Sequence, residues 1–72
     1  MYAIGTVLRR LISENDTNQA EVSRATGIGK QNISLICNGK TQYPTIQTCK
    51  KLAEHFGLTL DELWALMEAE GE

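Results

Sequence analysis

The sequence predicts an all-α domain of five short helices, and three observations carry that reading. Apolar residues recur at helical spacing along nearly the whole chain. Glycines and turn-forming polar residues interrupt that spacing between successive segments. No stretch alternates as a strand would, and there is no internal repeat or linker.

Ile4, Val7, Leu8, Leu11 and Ile12 form the stripe of a first amphipathic helix, with Arg9 and Arg10 off it. The run Ser13-Glu14-Asn15-Asp16-Thr17-Asn18 breaks the pattern. Asn18 stands as an N-cap before a second helix, Gln19 to Thr26, and Glu21 three residues on suits a capping box and the positive helix end. Gly27 allows the positive φ of a sharp turn, and Ile28 is placed to plug the corner. A third helix runs from Lys30 to Cys37 and ends at Asn38-Gly39. Two short helices around a three-residue turn make a helix-turn-helix unit. Thr41-Gln42-Tyr43-Pro44 is a loop, with Pro44 expected to open the fourth helix, where its missing N–H costs nothing. Ile46, Cys49, Ala53 and Phe56, with Leu52 alongside, form the expected core stripe of that helix, and Gly57 stops it. Thr59 caps a last helix with Asp61 and Glu62 in its first turn and Leu60, Leu63, Trp64 and Met67 as its stripe. The expected organisation is one domain over residues 1–69 and a short acidic tail over 70–72, with Glu68 to Glu72 a solvated end.

Length and composition bound the function. A chain of 72 residues has room for one domain. It buries only about 60% of its unfolded surface, so a deep substrate cavity is not expected. A hydrophobic fraction of 42% with 22% charged residues fits an ordinary soluble fold. Cys37 and Cys49 are too few for a disulfide-built secreted domain and lack the paired spacing of structural zinc, so they read as buried reduced thiols. Arg9 and Arg10 interrupt the apolar N-terminal residues, so no signal peptide is expected, and no apolar run reaches the roughly 18 residues of a membrane span. The expectation is a cytoplasmic protein without cofactor, metal or small-molecule ligand. His55 is the only imidazole and Glu54 points elsewhere on the helix, so no nucleophile–base pair can be assembled and an enzyme is not expected.

The net charge of −2 conceals an asymmetry. Residues 1–51 hold all seven Lys and Arg against Glu14, Asp16 and Glu21, a balance of +4, whereas residues 52–72 hold six acidic residues and no Lys or Arg. Local field decides whether a surface attracts phosphate, so the first two-thirds can face a polyanion while the last third faces away.

The third helix is the informative piece. Ile33, Ile36 and Cys37 share its core face, while Gln31, Ser34, Leu35 and Asn38 lie opposite, with Lys30 at the start. Such groups suit base edges: Gln pairs with adenine, Lys reaches guanine O6 and N7, and an apolar side chain meets a thymine methyl. Gln19 opens the second helix, whose free N–H groups can receive a phosphate.

From Ile4 to about Trp64 the chain resembles the Cro/repressor (lambda-repressor-like) helix-turn-helix family of phage and bacterial transcription regulators. Asn18-Gln19-x-x-Val22-Ser23 stands where that family has Thr-Gln-x-x-Leu-Ala. Gly27-Ile28-Gly29 matches its Gly-Val-Ser turn, Ile33-Ser34-x-Ile36 its Ile-Ser-x-Ile core, and Asn38-Gly39-Lys40 its Asn-Gly-Lys or Arg-Gly-Lys. Pro44, Leu52-Ala53, Phe56-Gly57 and Leu60-Asp61-Glu62-Leu63 complete the pattern. The departures are Ser23 for alanine, Gly29 for the serine that caps the recognition helix, and Cys37 for glutamate.

The resemblance implies that Lys30, Gln31, Asn32, Ser34 and Leu35 sit in or beside the major groove. It implies that Asn18, Gln19, Asn38, Lys40 and Thr45 hold phosphates, and that a homodimer binds a palindromic double-stranded DNA operator with half-sites about 34 Å apart. On the last helix, Trp64, Leu66 and Met67 are the candidates for a dimer or partner surface. No ligand-sensing or protease-like domain is expected. The competing reading is an antitoxin-like or adaptor module whose main partner is a protein docked on the last helix, favoured by the acidic residues there.

Overall fold

The structure is a computed structural model that describes residues 4–41 and 44–70. The described residues form five helices and no strand: α1 (Ile4–Glu14), α2 (Gln19–Thr26), α3 (Lys30–Cys37), α4 (Ile46–His55) and α5 (Leu60–Glu70). The predicted order and number of elements therefore hold. Gln42 and Tyr43 of the expected loop, and Gly71 and Glu72 of the expected tail, lie outside the described residues.

α1 packs on α3 and α5, α2 on α3 and α4, and α4 on α5. The core at their centre gathers Ile4, Val7, Leu8 and Leu11 from α1, Val22 and Ile28 from the α2 region, Ile33, Ile36 and Cys37 from α3, Cys49, Leu52 and Ala53 from α4, and Leu63 and Met67 from α5. Phe56, Leu58, Leu60 and Leu66 pack against it from the rim.

The helix ends follow their sequence signals. Asn18 Oδ1 accepts the Glu21 N–H at 2.9 Å, capping α2. At α5 the box is reciprocal: Thr59 Oγ1 accepts the Glu62 N–H at 3.0 Å, and Glu62 Oε1 accepts the Thr59 N–H at 2.8 Å. Gly27 closes α2 at φ 78°, donating its N–H to the Ser23 carbonyl. Gly29 gives α3 no side-chain cap. α3 ends in a Schellman motif, with Gly39 N–H donating to the Ile36 carbonyl at 3.1 Å and Lys40 N–H to the Leu35 carbonyl at 2.9 Å.

Four expectations need correction. Pro44 does not open α4: Thr45 is the N-cap, its Oγ1 accepting the Thr48 N–H at 3.2 Å, and Pro44 precedes that cap. Ile46 is not in the core stripe but 71% exposed, whereas Cys49, Leu52 and Ala53 of the same helix are buried. Met67 is 2% exposed and closes the core, so it has no surface to offer a partner. Glu70 belongs to α5 rather than to a solvated tail, and its carboxylate pairs with the Arg10 guanidinium of α1.

One contact is set by a missing side chain. Gly5 is buried in α1, and a Cβ there would lie 2.5 Å from the Ile36 carbonyl oxygen and 3.4 Å from that of Cys37. The neighbour is backbone and cannot swing aside. An alanine gains about 0.5–1 kcal/mol of helix propensity, but overpacking costs about 1–3 kcal/mol, so the clash wins. Gly5→Ala is expected to lower unfolding free energy by roughly 1–2 kcal/mol, read from urea midpoints; an unchanged or raised midpoint would show that α1 and α3 do not approach this closely.

Cys37 and Cys49 are free and buried, as the sequence implied. Burial pushes both thiols above the ordinary value of 9.0, with the Arg9 guanidinium drawing Cys37 partly back. A folded pKa above the unfolded one means that the protonated thiols contribute stability below pH 9.0, and that this contribution is lost as pH climbs past it. The urea midpoint should fall more steeply above that pH in the wild type than in Cys49→Ala.

Candidate nucleic-acid interface

The candidate interface is on α3, whose inner face is sealed: Ile33, Ile36 and Cys37 are each 2% exposed or less. That burial fixes the rotation of the helix and turns its first residues outward. Lys30, Gln31 and Asn32 are exposed, while Ser34 and Leu35 are half-buried. Leu35 is therefore not the fully exposed leucine the helical wheel implies; it lies where the chain returns after α3, its carbonyl accepting the N–H groups of Lys40 at 2.9 Å and Thr41 at 3.1 Å.

That return carries the phosphate candidates to the end of α3. Asn38 is exposed and its Nδ2 donates to Ser34 Oγ at 3.4 Å, so these two predicted site residues touch. Lys40 is exposed in the tied loop. Asn32 and Thr45 both line a shallow cleft of about 220 Å³ between α3 and the start of α4, with Ile36, Thr41, Pro44 and Thr48. At the start of α2, Asn18 uses Oδ1 as the helix cap and keeps Nδ2 as a donor, beside half-buried Gln19. Thr45 is likewise occupied as a cap, with its Oγ1 3.1 Å from Thr48 Oγ1.

Charge availability separates the basic residues. Arg24 is ion-paired with Glu21 at 3.2 Å and Arg10 with Glu70. Among the described residues Lys30 and Lys40 have no ion pair, so the cations nearest the α3 face are not neutralised within the fold. The acidic residues of α5 sit on a helix that packs on α1 and α4, whereas α3 packs on α1 and α2.

The predicted partner residues lie elsewhere, on α5. Trp64 is 38% exposed, and Leu66 is half-buried against the core. Sequence reading missed Ile46, the most exposed large apolar side chain described, because its spacing from Cys49 puts it in phase with the core stripe. Its place directly after the Thr45 cap was the available signal. Among the described residues no three His, Cys, Asp or Glu side chains gather to hold a metal ion, and no helix is long and apolar enough to cross a membrane.

A profile of the helix-turn-helix family matches residues 8–63, from within α1 to the first turn of α5. The chain belongs to this family. The helix-turn-helix domain so defined is of the Cro/repressor type, a group of DNA-binding transcription regulators. Over 56 residues, 78% of the chain, it is 41% identical to the cryptic phage CTXphi transcriptional repressor RstR of Vibrio cholerae. The match spans about 50% of that repressor's length. No solved structure matches the chain significantly.

Within this helix-turn-helix domain, Asn18 has a structural task that can be weighed apart from any phosphate contact. Removing its cap with Asn18→Ala should cost about 1 kcal/mol of unfolding free energy, with most of it retained in Asn18→Ser. Equal stability of all three proteins would free Asn18 from the capping role.

Proposed function

We propose that the protein is a sequence-specific regulator of transcription that binds double-stranded DNA, reads an operator through the major groove with α3, and represses by occupying a promoter. The observation that carries this reading is the division of α3 itself. Its inner face is closed by Ile33, Ile36 and Cys37, and its first turn offers Lys30, Gln31 and Asn32 to solvent. The amide and ammonium groups there suit adenine and guanine edges. Ser34 and Leu35, less exposed, reach only groups that approach the middle of the helix. Asn18, Gln19, Asn38, Lys40 and Thr45 border this face as phosphate contacts that fix register without reading sequence.

The protein acts in the cytoplasm without catalysis, as a homodimer at least on DNA, on a palindromic operator. Trp64 and the exposed edge of Leu66 supply the contact between copies. The exposure of Trp64 on an acidic helix favours a second reading, in which α5 docks a protein partner. The two differ in salt response, since DNA affinity falls steeply with ionic strength and an apolar protein contact does not.

Selection from a random duplex pool at moderate salt tests the proposal. Enrichment of a palindrome with half-sites one turn apart supports operator binding by a dimer; enrichment of a lone half-site removes the dimer, and no enrichment removes the DNA reading. On the selected site, Gln31→Ala should cost on the order of 1–3 kcal/mol and relax specificity at one base pair. Lys40→Ala should weaken all duplexes alike and shallow the salt slope by about one.

A further inference from the structure

The turn between α2 and α3 is flanked by Gly27 and Gly29, so its backbone has little intrinsic stiffness, and α3 receives no side-chain cap from Gly29. Core packing holds the inner face of the eight-residue α3, and side chains of α2 reach across the turn to the residue just before it. Ser23 Oγ donates to the Ile28 carbonyl at 2.6 Å. Thr26 Oγ1 accepts the Ile28 N–H at 3.2 Å while donating its own proton to the Val22 carbonyl at 2.6 Å. Both backbone polar groups of Ile28 are thus held by hydroxyls of α2, and its side chain is 7% exposed in the core. All three hydrogen bonds are part-buried, which limits competition from water.

We propose that Ser23 and Thr26 form a hydroxyl latch on Ile28 that sets the orientation of α3 relative to α2, making them positioning residues for base readout rather than contacts to DNA. The inference rests on the proposed operator reading. Base readout demands side-chain placement within about 0.5 Å and 10–20°, whereas phosphate attraction tolerates a tilted helix. The latch therefore governs selectivity more than raw affinity. Thr26→Val removes both bonds of that hydroxyl at nearly constant shape, and Ser23→Ala removes the other.

The test has two readouts on the wild type and both variants. One is the ratio of affinities for the selected duplex and a scrambled duplex. The other, made without DNA, is the α2–α3 angle from residual dipolar couplings together with Ile28 amide exchange. Losing a latch bond should lower the selected-site affinity about tenfold, leave scrambled-duplex affinity within about twofold, and alter the angle or speed exchange of the Ile28 amide. An unchanged selectivity ratio and unchanged angle overturn the proposal. Equal losses on both duplexes also overturn it, because they mark a general stabilising role. Should Ser23→Ala fail to fold, Thr26→Val decides alone. Should the wild type bind no duplex, the operator reading fails, and the DNA-free angle still decides whether the latch exists.

Discussion

α1 lies close against the end of α3 because position 5 carries no side chain, and the seating of α3 follows from that approach. α3 has eight residues, too few to hold a helix in water unaided. It is helical because neighbours hold it: α1 lies against its C-terminal carbonyls at Gly5, and α2 holds its entry through the turn. Ile33, Ile36 and Cys37 are trapped between these supports. A short helix clamped at both ends has no freedom to rotate about its axis, so the residues it turns outward are decided by those it must bury.

That division separates stability from recognition in one element. The inner residues contribute burial, on the order of 1.5–3 kcal/mol for each fully buried large side chain. Lys30, Gln31 and Asn32 stay exposed and contribute nothing comparable. Electrostatics follows the same plan. Arg10 is drawn to Glu70, tying α1 to the far end of α5, while among the described residues Lys30 and Lys40 have no ion pair. The net negative charge of the chain thus does not describe the surface that would meet a phosphate backbone.

Much of this was legible in the sequence because its signals are local. Asn18, Thr59, Gly27 and Gly39 mark helix ends through their own backbone and side-chain chemistry, and three- and four-residue spacing reported the inner faces of α1 and α3. Errors arose where the outcome depends on what lies opposite. Ile46 has the phase of a core residue yet stays exposed in the first turn of α4, and Met67 looks available until the packing of α5 is known. Ser23 stood in the sequence only as a departure from alanine, because the partner of its hydroxyl is a backbone carbonyl across a turn, five residues on. The Arg10–Glu70 pair joins opposite ends of the sequence, and spacing carries no trace of it. Among the proposed site residues, spacing separated inward from outward but not exposed from half-buried, so Leu35 was read as more open than it is.

In the proposed function the outward face of α3 is the surface that meets the double helix. The most direct measurement is an NMR titration of isotope-labelled protein with a duplex recovered by selection, following backbone amides and the side-chain amides of Gln31, Asn32 and Asn38. The largest shifts are expected on Lys30 to Leu35, with Asn38 and Lys40 next, all weakening together as salt is raised. Saturable shifts confined to α5 around Trp64, with α3 unmoved, would contradict it.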